Sequence, residues 1–246
     1  MRNIKLTIEY DGARYNGWQK LGDTENTIQS KLEKVLSEMT GRKIEVIASG
    51  RTDSGVHALA QIVNFKTNIN MSTKEIRRYC NQYLPKDIVV KGIEEVDERF
   101  HARYNAKSKK YLYRIRIGAI PTAFNRKYTY YVPNYLDIEA MQKAGSYLLG
   151  EHDFKAFSSV KSSKKSTSRE IFEMDITKEE NELHLLFHGN GFLHNMVRIM
   201  VGTLIEIGEG KRTPESIKDI FASKTRENAG VTAPAQGLFL YEVFYD

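Results

Sequence analysis

Apolar positions along this chain switch between a period of two and a helical period, and the switches mark out the elements. Ile4, Leu6, Ile8 and Tyr10 alternate with Lys5, Thr7 and Glu9, which predicts a half-buried strand. Asp11-Gly12 through Gly22-Asp23 reads as a loop, with Trp18 inside it. A helix follows, since Ile28, Leu32, Val35, Leu36 and Met39 form one stripe. Asn26 and Gln29 stand in capping-box spacing at its start, and Gly41 ends it. Ile44, Val46 and Ala48 predict a strand running into the loop Ser49-Gly50-Arg51-Thr52-Asp53-Ser54-Gly55. A strand over Ile62 to Phe65, a helix over Thr73 to Leu84 and a strand over Ile88 to Val96 complete the first half.

The second half uses the same grammar. Tyr111, Tyr113, Ile115 and Ile117 alternate with Arg114 and Arg116 in a strand, and Asp137 to Leu149 form an amphipathic helix. Ile171 to Thr177 and Leu183 to His188 predict a hairpin around Glu179-Glu180-Asn181. His194 to Ile207 is a strongly apolar helix, Pro214 opens a short one, and Leu238 to Tyr245 is a strand. Each half mixes strands with two main helices, so the class is α+β, in two similar lobes over residues 1–105 and 106–246. The order suggests a duplicated unit, although no residue-level repeat is visible. The polar patch Lys161 to Ser168 has no periodicity and predicts a mobile loop whose lysines can reach RNA phosphates.

Composition narrows the class. With 41% hydrophobic and 28% charged residues in 246, the chain is that of an ordinary globular protein. No apolar run approaches the roughly 20 residues that span a bilayer, and the first residues alternate like a strand, unlike a signal peptide. Cys80 is the only cysteine, which rules out an internal disulfide and fits a reducing cytoplasm. Thirty-seven Lys and Arg against 31 Asp and Glu give a net charge of +6, a balance that suits a polyanionic partner. Fourteen tyrosines and 11 phenylalanines add stacking platforms for unpaired bases, although most aromatics will fill core and sheet faces.

Two places carry candidate chemistry. In Gly50-Arg51-Thr52-Asp53-Ser54-Gly55-Val56-His57 the Gly, Thr, Asp and Ser suit a plain surface turn. A turn does not need Arg51 two residues before Asp53, however, and a flanking cation holds a carboxylate ionised. The glycines on either side let backbone or ligand approach closely. Far away, Arg198 is the lone charge in Met196-Val197-Arg198-Ile199-Met200-Val201, within a helix apolar on nearly every face. A buried guanidinium needs an anion opposite it, unless it reaches the surface or pairs with a structural carboxylate such as Glu206. His184, His188 and His194 offer a rival metal site, but no HExxH signature or carboxylate at ligand spacing accompanies them. Gly189-Asn190-Gly191 lacks the Gly-Lys-Ser/Thr of a nucleotide-binding loop, and no Ser-His-Asp arrangement stands out.

The run Ser49 to Ala58, SGRTDSGVHA, closely resembles the signature of the TruA family of tRNA pseudouridine synthases. The match extends along the chain. Glu9-Tyr10-Asp11-Gly12, Gly17-Trp18-Gln19 and Thr27-Ile28-Gln29 come early, and Phe100-His101-Ala102-Arg103 precedes Lys110-Tyr111-Leu112-Tyr113. Gly150-Glu151-His152-Asp153-Phe154 and Phe192-Leu193-His194-Asn195-Met196-Val197-Arg198 follow. The resemblance implies two α+β lobes around an extended, mainly antiparallel sheet with flanking helices, a homodimer, and a positively charged cleft. It implies Asp53 as the catalytic aspartate, Tyr111 against the target uracil, and Arg51 and Arg198 as supporting cations, Arg198 keeping Asp53 ionised and aimed. The expected substrate is tRNA at positions 38, 39 and 40 of the anticodon stem-loop, in the cytoplasm, with no cofactor, metal or membrane. Ser54, Ala60, Asn64, Leu21 and Tyr83 depart from the family's usual Ala, Gly, His, Gln and Asn. These departures leave open a paralogue acting on ribosomal RNA, and a catalytically silent RNA-binding protein is the remaining alternative.

Overall fold

Strand β1 (Arg2–Tyr10) shows why its alternation matters: Ile4, Leu6 and Ile8 are fully buried, while Lys5, Thr7 and Glu9 on the other face are partly exposed. The computed structural model describes residues 1–159 and 166–245. Of the polar patch at Lys161 to Ser168, only Ser166, Thr167 and Ser168 fall among them; the rest lies outside the described residues. Contacts group the chain into two units, Met1–Lys107 with Phe239–Asp246, and Ser108–Leu238.

In the first unit, helix α1 (Ile28–Thr40) turns Ile28, Leu32, Val35 and Leu36 inward. Its cap is Thr27, whose hydroxyl accepts from the Ser30 N–H, and not the expected Asn26. Asn26 donates instead to the Arg14 carbonyl at 2.6 Å, and Gln29 is engaged by Lys20 N–H and Glu33. Gly41 closes the helix at φ 65°. Strand β2 is only Ile47–Ala48, shorter than the apolar alternation suggested. The amides of Ile44 and Val46 donate to Ser37 Oγ and Glu33 Oε1 of α1, so they are lost to the ladder. Strand β3 (His57–Thr67) is longer than expected, since its start carries buried His57, Ala58 and Gln61 without alternation. Helix α2 (Thr73–Tyr83) has the capping box that α1 lacks, between Ser72 and Glu75. Strand β4 (Ile88–Val96) and β3 flank β1 antiparallel, and the closing strand Leu238–Phe244 lies parallel to β3 through Phe239 and Leu240.

In the second unit, β5 (Ser108–Ile117) pairs antiparallel with the hairpin strand β9, described below, and parallel with β6 (Tyr130–Val132). Helix α3 (Ile138–Ser146) is capped by Asp137 and stops three residues short of Leu149. Strand β7 (Gly150–Asp153) then pairs with β8 (Ser168–Glu179), and β8 with β9 (Glu182–Gly189). The hairpin between β8 and β9 turns through Glu180 at φ 51°. Helix α4 (Met196–Gly208) is apolar as expected but begins two residues after His194, and α5 (Ser216–Ser223) starts two residues after Pro214. The α+β class holds in both units.

Candidate active site

Asp53 lies half-buried in the loop between β2 and β3, and its neighbours on both sides are tied down. On one side, the Tyr10 hydroxyl is 2.8 Å from Thr52 Oγ1, and the Trp18 N–H donates to the Thr52 carbonyl at 3.0 Å. On the other, Ser54 Oγ donates to the Tyr15 carbonyl at 3.0 Å. Val56 N–H closes a turn onto the Asp53 carbonyl at 3.1 Å, with Gly55 at φ 78°. The loop's entry is held by Ser49, whose hydroxyl donates to Gln61 Oε1 at 2.6 Å, while Gln61 Nε2 donates to the Gly50 carbonyl at 2.9 Å. Gln61 and Ser49 are fully buried, so this polar pair is satisfied internally. Burial drives the Tyr10 hydroxyl well above the usual tyrosine range and keeps it a neutral hydrogen-bonding group. Arg51 shares the loop and is exposed.

The support beneath the loop is itself braced. A Cβ on Gly12 would stand 1.9 Å from the Val56 carbonyl oxygen, so only glycine lets these two backbones meet. Gly12 N–H also donates to His57 Nδ1 at 3.1 Å, and the buried His57 ring stacks on Phe239 with centroids 4.8 Å apart. Asp87 accepts from the Tyr15 hydroxyl and from the Arg14 guanidinium, and its carbonyl accepts from the Asp11 N–H. Burial alone would raise the Asp87 carboxyl, but the Tyr15 hydroxyl and Arg14 together outweigh it and hold the group below its ordinary value. Gly17 and Trp18 carbonyls receive the first N–H groups of α1, from Ile28 and Gln29.

In the second unit, Tyr111 sits on β5 opposite Phe187, almost fully buried, with its ring edge-on to Phe192 at 4.9 Å. Arg198 lies in the first turn of α4. It is half-buried, less enclosed than its apolar helix suggested, and two oxygens meet its guanidinium: Nε donates to the Ala233 carbonyl at 2.7 Å and Nη1 to Asn195 Oδ1 at 3.0 Å. Asn195, in the left-handed region at φ 61°, spends its side chain on Arg198 and on Ser159 Oγ and caps nothing. Glu206, the structural alternative, is engaged by Arg212 at 2.6 Å and by the Val231 N–H. Asp53 and Arg51 thus belong to the first unit, and Tyr111 and Arg198 to the second.

The histidines separate. His184 lies by Glu182 and Glu179, His188 bonds Ser108, and His194 is exposed. His184 and His188 are four residues apart on β9, about 13 Å along the strand. Among the described residues no cluster of three or more His, Cys, Asp or Glu could hold a metal ion. Among them, too, no helix is long and apolar enough to cross a membrane. The sequence reading missed Tyr10, Thr52, Gln61 and Asn195 as supports. Only Gln61 carried a signal, a polar residue between Ala60 and Ile62 in an apolar stretch.

A profile of the family described as tRNA pseudouridine synthase matches residues 6–105 and 144–246. The chain is 49% identical over 243 residues to tRNA pseudouridine synthase A 2 of Bacillus cereus, covering 99% of each. It is 52% identical over 240 residues to tRNA pseudouridine synthase A of Bacillus sp. strain KSM-64, covering 98% of each. It is 48% identical over 245 residues to tRNA pseudouridine synthase A of Acetivibrio thermocellus, covering 100% of each. The chain belongs to the TruA family of tRNA pseudouridine synthases. Its activity is therefore that of an isomerase, converting uridine in tRNA to pseudouridine.

Proposed function

We propose that this protein acts on the anticodon stem-loop of tRNA at positions 38, 39 and 40, with Asp53 as the catalytic carboxylate. Tyr111 lies against the target uracil, and Arg51 and Arg198 are supporting cations. The observation that carries the assignment is the loop around Asp53: a half-buried carboxylate inside the family motif, with the residues on both sides of it anchored.

The chemistry asks for these residue types. The uridine leaves its stack, the N1–C1′ glycosidic bond breaks, the base turns, and C5 joins C1′. The proton lost from C5 is balanced by one gained at N1, so no atoms enter or leave and no cofactor is consumed. A carboxylate serves this sequence as nucleophile at C1′ or C6, or by promoting a glycal. An aromatic ring holds an unstacked base by its face, and cations keep a carboxylate ionised. The +6 charge supports binding through spread phosphate contacts. The resemblance supports a homodimer, and the single buried Cys80 fits a reducing cytoplasm.

The test incubates purified enzyme with unmodified tRNA transcripts and, separately, with ribosomal RNA, then maps pseudouridine in each. Product at positions 38 to 40 of tRNA supports the reading, and reaction with ribosomal RNA alone overturns the target. Asp53→Asn and Asp53→Ala should abolish product while salt-sensitive RNA binding persists. Appreciable turnover by Asp53→Ala would remove Asp53 from its role.

A further inference from the structure

A carboxylate on a loop is a poor catalyst unless something fixes it, because loops are the mobile part of a fold. Within this loop the two residues that flank Asp53 are each held from outside the loop. Thr52 is held twice, by the Tyr10 hydroxyl at 2.8 Å on its side chain and by the Trp18 N–H at 3.0 Å on its carbonyl. Ser54 is held by the Tyr15 carbonyl at 3.0 Å. All three anchors come from one short stretch, residues 10–18, which leaves β1 and meets the start of α1.

The Tyr10–Thr52 bond is the buried member of the set, with Tyr10 2% and Thr52 7% exposed. A hydroxyl pair in such a place costs desolvation, and phenylalanine would fill the same volume next to Trp18, whose ring centroid lies 6.1 Å away. Packing therefore accounts for the ring of Tyr10 but not for its oxygen. The Ser54 contact depends on its side-chain hydroxyl, since an alanine would have no donor to offer the Tyr15 carbonyl.

We infer that Tyr10, Thr52 and Ser54 are positioning residues for Asp53, fixing the backbone on either side of the carboxylate to residues 10–18. This rests on Asp53 being the catalytic carboxylate. Tyr10 and Thr52 act from one side and Ser54 from the other, so loss of either contact loosens one flank of Asp53 while the Trp18–Thr52 and Val56–Asp53 backbone bonds remain. Misplacement of a reacting group by about 1 Å costs on the order of a hundredfold in rate, and release of one tie should cost part of that.

The experiment compares Tyr10→Phe, Thr52→Val, Thr52→Ser, Ser54→Ala and Asp53→Ala in single-turnover rate on a tRNA transcript, tRNA Kd and thermal unfolding. Rates are read at a temperature where every variant is folded. Tyr10→Phe and Thr52→Val should lose about tenfold in rate with tRNA Kd unchanged. Thr52→Ser, which keeps the hydroxyl, should restore the rate, and Ser54→Ala should lose a smaller factor. Wild-type rates in Tyr10→Phe and Thr52→Val beside an inactive Asp53→Ala would overturn the inference and leave the assignment of Asp53 standing. So would a rate loss in Thr52→Val that Thr52→Ser fails to rescue. Turnover in Asp53→Ala would remove the basis of both.

Discussion

Arg198 and Ala233 are joined twice: the guanidinium Nε donates to the Ala233 carbonyl at 2.7 Å, and the Ala233 N–H donates back to the Arg198 carbonyl at 3.0 Å. With Asn195 Oδ1 on Nη1, the planar fork is aimed from two directions. Lysine has one ammonium and cannot meet both oxygens in that geometry. Arg198→Lys should therefore lose at least about tenfold in single-turnover rate and about 1–3 kcal/mol of stability. Asn195→Ala should also slow turnover and add strain at φ 61°, whereas Asn195→Gly should slow it without the strain. Thermal unfolding beside rate separates the two; equal stability of both Asn195 variants would refute the strain argument.

The pairing expected between Asp53 and Arg198 has its own measurement. Since Arg198 already meets two oxygens, loss of Asp53 should cost less than the about 3–5 kcal/mol typical of a broken buried pair. A double-mutant cycle with Asp53→Ala and Arg198→Ala should still return a coupling of about 0.5–3 kcal/mol. Strictly additive losses would mean that the two do not pair.

Close backbone approach should make two glycines irreplaceable. A Cβ would stand 1.9 Å from the Val56 carbonyl oxygen at Gly12 and 1.8 Å from that of Val231 at Gly202. Gly12→Ala and Gly202→Ala should each cost about 3 kcal/mol or more, because the neighbour in each case is backbone. At Gly22 an added Cβ meets nothing within 4 Å, so Gly22→Ala should change stability by less than about 0.5 kcal/mol. Melting curves of the three, side by side, decide this.

Asp87 should give the fold an acid-sensitive component. Its carboxyl is held below its ordinary value in the folded chain, so its contribution to stability is fully present above the unfolded carboxylate range, about pH 4. That contribution is lost as pH falls through the lower folded value. Asp87→Asn should accordingly melt below wild type at neutral pH, and the gap should narrow as pH drops below about 4. A constant gap across that window would show that Asp87 acts through shape and not charge.

The strands that the sequence revealed are those with one covered face. β1 and β5 alternate because one side is core, and a polar residue there would be buried without a partner. β6 and β7 run three and four residues, too short for a period to register. The cap of α1 was misplaced by one residue because Asn26, Thr27 and Gln29 all carry capping chemistry, and tertiary bonds to Arg14 and Lys20 decide which is left to cap. At the site, the motif around Asp53 was readable because its residues are contiguous. Its supports were not, since Tyr10 and Thr52 meet only through the packing of β1 beneath a loop 42 positions away. Arg198 was legible as an anomaly, but two of its acceptors are a backbone carbonyl and an amide, which no pattern of residue types announces.

The closing strand makes the first unit discontinuous: residues 239–246 join Met1–Lys107 only after the whole of Ser108–Leu238 has been made. During synthesis, the start of β3 lacks its parallel neighbour, and the His57 ring lacks the Phe239 face on which it stacks. The motif that carries Asp53 is thus translated early but completed late. Closing so long a loop is slow, because chain entropy must be spent before the distant contact is gained. A ribosome-bound chain halted before Phe239 should be sensitive to protease around residues 49–57 and silent towards tRNA, with both properties reversing when the last strand is released. The expected outcome is that a nascent chain engages tRNA only once Phe239 and Leu240 have joined β3.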